Sequence, residues 1–339
     1  MRRVMLVCAL AGALAAPALG ASAQAKPSWA QAQIELVTAK GLLGGDARQF
    51  RPDDLVTEGE LAAAISGVTG REAPLALPPD SVVTVAQLDA QLVRALGLAS
   101  AARQFADGVR AAGLTPPGRF GTEVVARLLG LRTDHADDTI ELTPSQPATR
   151  AEVAWSLARV LGFGGFEVDA VRSEAATFAP PPVEGPAREI LQTAIDLIGY
   201  PYVWGGTSEQ PQQLFGGETT VSGGFDCSGF VWRVYKLQQY GVPGLDATLR
   251  GRTTYAMSAE VTRAQRMTDS GLQPADVLFF GAGGPKAKPA AIDHAGIYLG
   301  NGWFVHASGQ GVALGTLASD WYAQRFAWAR RPLAEAQRV

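Results

Sequence analysis

The chain has 339 residues, with 29 Lys+Arg against 32 Asp+Glu, three histidines and two cysteines. A chain of this length can bury two cores rather than one, and so few cysteines leave neither core stapled by disulfides. The mildly acidic balance gives no electrostatic case for a nucleic-acid partner, which needs a basic face, although local patches can still meet an anionic wall polymer.

Residues 1–25 read as a secretory signal. Arg2 and Arg3 supply the positive end, Val4 to Leu19 is apolar or small, and Ala21-Ser22-Ala23 and Ala23-Gln24-Ala25 are two candidate cleavage sites. Cys8 lies too early in the run to be a lipid-modified cysteine at the cleavage point. No later run is long and apolar enough for a membrane span, so a protein outside the cytoplasmic membrane with no transmembrane anchor is expected, secreted or associated with the cell envelope. Removal of the signal leaves Cys227 as the single cysteine. A lone thiol in an exported protein cannot form an internal disulfide, and its retention points to chemistry.

Residues 28–162 read as helices. Ser28-Trp29-Ala30-Gln31, Thr57-Glu58-Gly59-Glu60, Thr84-Val85-Ala86-Gln87 and Thr149-Arg150-Ala151-Glu152 each place a hydroxyl three residues before an acid or amide, the pattern of a capping box. Apolar residues follow at helical spacing, as in Leu88, Leu92, Val93 and Leu96. His135, in Asp134-His135-Ala136-Asp137-Asp138, falls in a polar stretch and reads as a surface residue. The unit of helix, glycine stop, turn and capped helix recurs. In Trp29, Ile34, Gly41-Leu42, Phe50-Arg51-Pro52-Asp53 and Val56-Thr57 with Glu60-Leu61 it resembles the S-layer homology module, with a weaker return at Ala148 to Val153. That resemblance implies binding to cell-wall polymers. A helical spacer, or a domain packed over a catalytic cleft, stays open beside it.

Ala179-Pro180-Pro181-Pro182-Val183-Glu184-Gly185-Pro186 marks the boundary, within a Pro-rich linker at 176–186 expected to act as a short stiff spacer. Beyond it the grammar changes. One amphipathic helix is expected over 187–199 and another from Cys227 to about Gln239. Short strands follow at 276–280, 295–299, 303–306 and 325–329, two of them joined by the hairpin signal Gly300-Asn301-Gly302. Helices followed by successive short strands make an α+β pattern with an antiparallel sheet, preceded by an all-helical domain over 26–175.

Gly224-Phe225-Asp226-Cys227-Ser228-Gly229 leads into an apolar helix, so Cys227 is expected in its first turn, where unpaired N–H groups lower a thiol's pKa. His294 begins a strand, and His306 lies across the hairpin from it, near enough to hold its second ring nitrogen. The competing readings of this trio are an inert buried cysteine, a metal site formed by Cys227, His294 and His306, or unrelated histidines.

Four segments carry a second resemblance. They are Gly199-Tyr200-Pro201-Tyr202-Val203-Trp204-Gly205-Gly206, Asp226-Cys227-Ser228-Gly229-Phe230-Val231, Leu272 to Phe280, and Asp293-His294-Ala295-Gly296-Ile297-Tyr298-Leu299-Gly300 with His306. In this order they resemble the NlpC-type cell-wall peptidases, a papain-like family of compact α+β domains. The resemblance implies Cys227 as nucleophile, His294 as base and His306 as the third member, with no cofactor and no metal. It implies that Tyr202 polarises the substrate carbonyl, that Asp226 and Ser228 shape the pocket and hold a free substrate amine, and that Trp204 walls the cleft. It further implies D,L-endopeptidase action on peptidoglycan stem peptides, between γ-D-glutamate and the diamino residue. The alternatives are an N-acetylmuramoyl-L-alanine amidase with the same triad, a cysteine acyltransferase, or an inactive cell-wall-binding protein.

The chain departs from the family pattern in three places. Residues 207–225 form a longer connection, expected as a surface lobe that narrows one side of the cleft. Lys286 and Lys288 lie in a Pro/Gly loop close before His294, either meeting substrate carboxylates or merely solubilising. Ala275 stands where the family's turn before Asp276 has glycine, so the turn is expected to avoid positive φ. Asp276 itself reads as a cap of that turn.

Overall fold

The capped helices of the first half meet at their starting points. In the computed structural model, which describes residues 27–214 and 216–337, seven helices fill this part: α1 Gln31–Ala39, α2 Glu58–Thr69, α3 Val85–Ala95, α4 Ala99–Ala111, α5 Phe120–Leu128, α6 Arg150–Leu161 and α7 Phe166–Thr177. The signal-like segment 1–25 lies outside the described residues. Thr57 and Thr84 form complete capping boxes with Glu60 and Gln87. The strand-like entries to α2, α3 and α6 join through single bridges, Leu55 to Thr149, Thr57 to Val82 and Thr84 to Pro147. Backbone groups left over at three helix starts therefore satisfy one another.

Two of the four expected boxes do not close. The N-cap of α1 is Ala30, and Ser28 Oγ only accepts from Ala30 N–H at 3.3 Å. Thr149 Oγ1 accepts from Glu152 N–H, but the Glu152 carboxylate turns inward to Arg132 (3.0 Å) and His135 (3.1 Å). Buried cations outcompete the cap N–H for that carboxylate.

The second half is α+β. Helix α8 (Gly185–Asp196) precedes two small ribbons, in which β1 (Thr207–Ser208) pairs with β4 (Gly224–Phe225) and β2 (Gln212–Gln213) with β3 (Thr220–Val221). Helix α9 (Cys227–Tyr235) follows, then the short α10 (Leu245–Thr248) and α11 (Thr254–Ala259). The main sheet is antiparallel and built from β5 (Val277–Gly281), β6 (Ile292–Gly300), β7 (Trp303–Ser308), β8 (Gly311–Thr316) and β9 (Phe326–Arg330), in the order β8-β7-β6-β5-β9. Helix α12 (Asp320–Arg325) precedes β9, and α13 (Pro332–Ala336) ends the described chain. Helix α9 packs on β6 and β7, the layering of a papain-like domain.

The two halves are not held apart. One apolar cluster continues from Ile34 and Leu92 through Phe105 and Phe178 to Val305 and Leu314. Phe105 of α4, Phe178 and Trp303 of β7 form an aromatic trio with centroid separations of 5.1, 5.1 and 6.0 Å. Each such pair adds about 0.5–1.5 kcal/mol beyond its area burial. The expected stiff spacer is instead packed: Val183 N–H donates to Ala112 O (2.9 Å), and Asn301 Nδ2 donates to Ala179 O (2.6 Å). Its prolines give it an extended shape, and that shape is laid along apolar surface rather than across solvent. Gly199 marks how close the approach is. It adopts φ +99°, and a Cβ there would come within 2.7 Å of Glu123 Oε2 on α5.

Ala275 corrects the expectation for its turn. It adopts φ +72° while 2 % exposed, a left-handed conformation that costs an alanine about 1–2 kcal/mol. Surrounding contacts hold it there: its N–H donates to Tyr298 O, and its carbonyl accepts from the Tyr235 hydroxyl. Asp276, wholly buried, accepts from Gln273 N–H and pairs at both oxygens with Arg331 (2.8 Å each), a structural placement.

Candidate active site

Cys227 is the first residue of α9, and Asp226 is its N-cap, accepting from Gly229 N–H at 2.5 Å. The thiol is 9 % exposed, with Sγ 3.8 Å from the Asp293 carbonyl and hydrogen bonds from the N–H groups of Ser228 and Ala295. His294, on β6, faces the same cleft of about 620 Å³, which Tyr202, Trp204, Asp293, Trp321 and Tyr322 also line. Trp204 is 75 % exposed there, a contact surface rather than core.

The hairpin register sets the histidine pair. Gly296 pairs with His306 across β6 and β7, which brings His294 Nε2 to 2.9 Å from His306 Nδ1 with the rings perpendicular. The Tyr322 hydroxyl lies 3.3 Å from His306 Nε2. Gly296 is required here, since a Cβ would lie 2.8 Å from the Phe304 ring. His294 Nδ1 has no hydrogen-bond partner among the described residues. Phe280, Phe304 and Tyr322 surround the two imidazoles.

Burial dominates the electrostatics of this trio. It pushes the Cys227 thiol up to about 12, assisted by the Asp226 charge, and the Ser228 and Ala295 N–H groups only partly offset it. It holds His294 down at about 4 and His306 well below the ordinary imidazole value. The expectation of a thiol lowered by its helix terminus is thus reversed. Burial favours a neutral thiol beside a neutral imidazole, an arrangement activated by transfer of a proton to His294.

Asp226 lies in a polar cluster at the start of α9. Its oxygens accept from Gly229 N–H, Gly205 N–H (2.9 Å) and Ser228 Oγ (2.9 Å), and Arg252 bridges both at 3.0 Å. Ser228 is drawn into the same cluster, accepting from Arg252 at 2.7 Å. Neither residue lines the cleft. Together they fix the start of α9 and so the position of Cys227. Lys286 and Lys288 are exposed and lie away from the cleft lining. The 207–225 connection is a lobe of two ribbons tied to the helical half, with Gln146 Nε2 donating to Ser222 Oγ at 3.0 Å.

Sequence reasoning missed Arg252, Tyr322 and Trp321, which carry no spacing relation to Cys227 or His294. It also misplaced the stretch around His135. His135 is 7 % exposed, its N–H and Nδ1 both at Glu141 Oε1 (2.6 and 2.7 Å) and its Nε2 3.1 Å from Glu152, with Trp29 stacked edge-on at 4.2 Å. Burial opposes its charge, but the hydrogen bonds and charges of Glu141 and Glu152 outweigh it and raise the imidazole to about 10. Among the described residues no group of three His, Cys, Asp or Glu side chains is placed to hold a metal ion, and no helix is long and apolar enough to cross a membrane.

Parts of the chain are similar to known proteins. Residues 199–331 match the NlpC/P60 family and residues 23–62 the S-layer homology domain. Gamma-D-glutamyl-L-lysine dipeptidyl-peptidase of Bacillus subtilis is 30% identical over 155 residues, covering 45% of this chain and 43% of that protein. Murein DD-endopeptidase MepH of Escherichia coli is 30% identical over 152 residues, 44% of this chain and 47% of that one. The chain thus spans less than half the length of these curated relatives. Among solved structures, a NlpC/P60 family protein from Bacillus cereus is 26% identical, covering 43% of this chain and 40% of that one with a TM-score of 0.33. The chain carries an NlpC/P60 family domain over residues 199–331, preceded by an S-layer homology domain over residues 23–62.

Proposed function

We propose that this protein is a peptidoglycan hydrolase, a cysteine peptidase of the cell envelope that cuts stem peptides as a D,L-endopeptidase. The bond is that between γ-D-glutamate and the diamino residue. The observation that carries the reading is the placement of Cys227, at the start of α9, in one cleft with a His294 whose Nε2 is already committed to His306. Relatives named as peptidoglycan and γ-glutamyl peptidases support the substrate class.

The reaction uses one of the two tautomer pairs that the contacts among His294, His306 and Tyr322 allow. His294 Nε2–H donates to His306 Nδ1, and His306 Nε2–H donates to the Tyr322 hydroxyl, which leaves a lone pair on His294 Nδ1. That nitrogen takes the Cys227 proton as sulfur attacks the amide carbonyl. The oxyanion is met by backbone N–H at the start of α9 and by Tyr202, whose hydroxyl stays protonated because burial raises its pKa. The imidazolium gives its proton to the leaving amine. Water, deprotonated by the same nitrogen, then cleaves the thioester and restores thiol and imidazole. Trp204 offers the substrate an exposed wall, and the S-layer homology segment holds the enzyme on wall polymers.

Incubating defined muropeptides with the full chain and reading product masses tests this. Release of a γ-D-glutamyl product that is lost in Cys227→Ala supports it. A free sugar lactyl group with intact L-alanine peptide would instead identify an amidase. Equal hydrolysis by Cys227→Ala would end the cysteine-peptidase reading.

A further inference from the structure

A second cavity lies where the helical half meets the sheet. It holds about 740 Å³ between α5, α6, the β7–β8 turn and the start of α12. Ser308, Gly309 and Tyr322 line both this cavity and the catalytic cleft, so the two adjoin. His306 and Tyr322, the far members of the hydrogen-bond chain from His294, border it as well. The steps at Cys227 leave this space unused.

Its charge is one-sided: three arginines line it and no acid does. Arg127 is buried against Glu123, and Arg132 against Asp89 and Glu152. Arg159 is exposed. Its guanidinium donates to the Leu129 carbonyl at 3.3 Å and lies over the Phe163 ring, with no carboxylate in ion-pair distance among the described residues. Gln310 brings a side-chain amide to the same place from the β7–β8 turn. The two donors converge over Gly130, which adopts φ +66°. A Cβ there would lie 3.1 Å from Arg159 Nη2 and 3.3 Å from Gln310 Nε2, so the missing side chain leaves a small cradle between them. Trp155 lines the same cavity, and its buried Nε1 has no acceptor among the described residues. A free guanidinium and a neutral amide aimed at one point, with no acid in the lining, suit a group with two acceptor oxygens and a negative charge.

We propose that this cavity is a carboxylate subsite of the enzyme, with Arg159 as its specificity-determining residue and Gln310 as the second donor. The ligand is a carboxylate that the stem peptide carries outside the bond being cut. Two sources share that chemistry: the α-carboxylate of the γ-linked D-glutamate and the carboxyl terminus of the stem. The wall shared with the catalytic cleft is what ties the anion to the substrate rather than to a free solute. Arg159 belongs to the helical half and Gln310 to the catalytic one, so a bound carboxylate is held by both, and the helical half takes part in selecting substrate. An amide in place of the carboxylate satisfies Gln310 but leaves the Arg159 charge unanswered, which makes amidated stems poor substrates. The inference rests on the hydrolase reading above and narrows its substrate class.

The test uses the full chain and three synthetic tetrapeptides: L-Ala-γ-D-Glu-L-Lys-D-Ala unmodified, amidated at the D-glutamate α-carboxylate, or amidated at the carboxyl terminus. We expect amidation at one of the two positions to lower kcat/KM by about tenfold, mainly through KM, the loss of one charge-assisted contact. The position that matters identifies the source. Arg159→Gln should reduce the discrimination to within about twofold with circular dichroism unchanged, and Arg159→Lys should partly restore it. Gln310→Leu should weaken it less. Equal Cys227-dependent cleavage of all three peptides by the wild type would overturn the proposal, as would full discrimination in Arg159→Gln. An Arg159→Gln variant that treats the peptides as the wild type does, but no longer sediments with purified cell walls, would assign the cavity to an anionic wall polymer and overturn it too. If no peptide is cleaved, the hydrolase reading fails by itself. Calorimetric binding of the same peptides then decides the subsite: an Arg159-dependent preference for carboxylate over amide supports it, and its absence overturns it.

Discussion

His135 is buried and His294 half-buried, both are flanked by aromatic rings, and they lie on opposite sides of the contact between the two halves of the molecule. Their charges are opposite in tendency. His135 sits between Glu141 and Glu152 and is raised to about 10, whereas burial takes His294 down to about 4, with the Asp293 charge opposing the shift and Arg325 adding to it. Burial penalises the charged imidazole in both places, so the partner decides the outcome. A carboxylate on each ring nitrogen makes a structural cation. Burial with no carboxylate bonded to the ring makes a neutral base.

The comparison can be broken most severely at the thiol. Cys227→Ala is expected to lower turnover by about 10³-fold or more with near- and far-ultraviolet circular dichroism unchanged, since no other residue can replace the sulfur. His294→Ala should cost on the order of 10²–10⁴-fold in kcat/KM. His306→Ala should cost less, about 10- to 100-fold, because it orients rather than transfers the proton. Equal small losses at both histidines would show that base and orienting group have been confused.

The opposite tendencies also predict opposite pH behaviour. His294 needs to be neutral to act, and its depressed value puts the acid limb of kcat/KM near pH 4 instead of the usual 6.5. Its contribution to stability has the matching sign: present above pH 6.5, and lost as pH falls towards 4, where the unfolded chain binds the proton more readily. For His135 the sign reverses. Its stabilisation is complete below pH 6.5 and is lost as pH rises through about 10. An acid limb near 6.5 in the pH profile would mean that the imidazole is far better solvated than its surroundings indicate.

His135→Ala sharpens the contrast on the structural side. It strands Glu141 and Glu152 without their shared cation, and a loss of about 3–5 kcal/mol is expected in urea unfolding. The smallest expected effect is at the turn before β5. Ala275→Gly should stabilise by up to about 1 kcal/mol, because glycine reaches φ +72° without the Cβ clash but loses more chain entropy on folding. A thermal melt that moves downward would show that the surrounding contacts hold the alanine without strain.

Much of the fold was legible. The Thr57 and Thr84 boxes, the helix after Cys227 and the Gly300-Asn301-Gly302 hairpin appear as expected, because each is set by groups within a few residues. Strand β8 was missed: Gly311 to Thr316 contains two glycines and little alternation, and it becomes a strand only because β7 offers it a ladder. The helix after Cys227 ends at Tyr235 rather than near Gln239, and Tyr240 folds back to donate to the Val234 carbonyl.

What the sequence by itself determined was the constellation in chain order: a cysteine opening an apolar helix, and two histidines twelve residues apart across a tight hairpin. Local periodicity and turn chemistry suffice for that. The tertiary structure alone decided the charge states and the shape of the cleft. Desolvation depends on every neighbour in space, so it reversed the expected thiol shift at Cys227 and charged a histidine that looked like a surface residue. Only the packing of the helical half against β8 could bring Asp134, nearly a hundred residues before Cys227, into the same cavity as its sulfur.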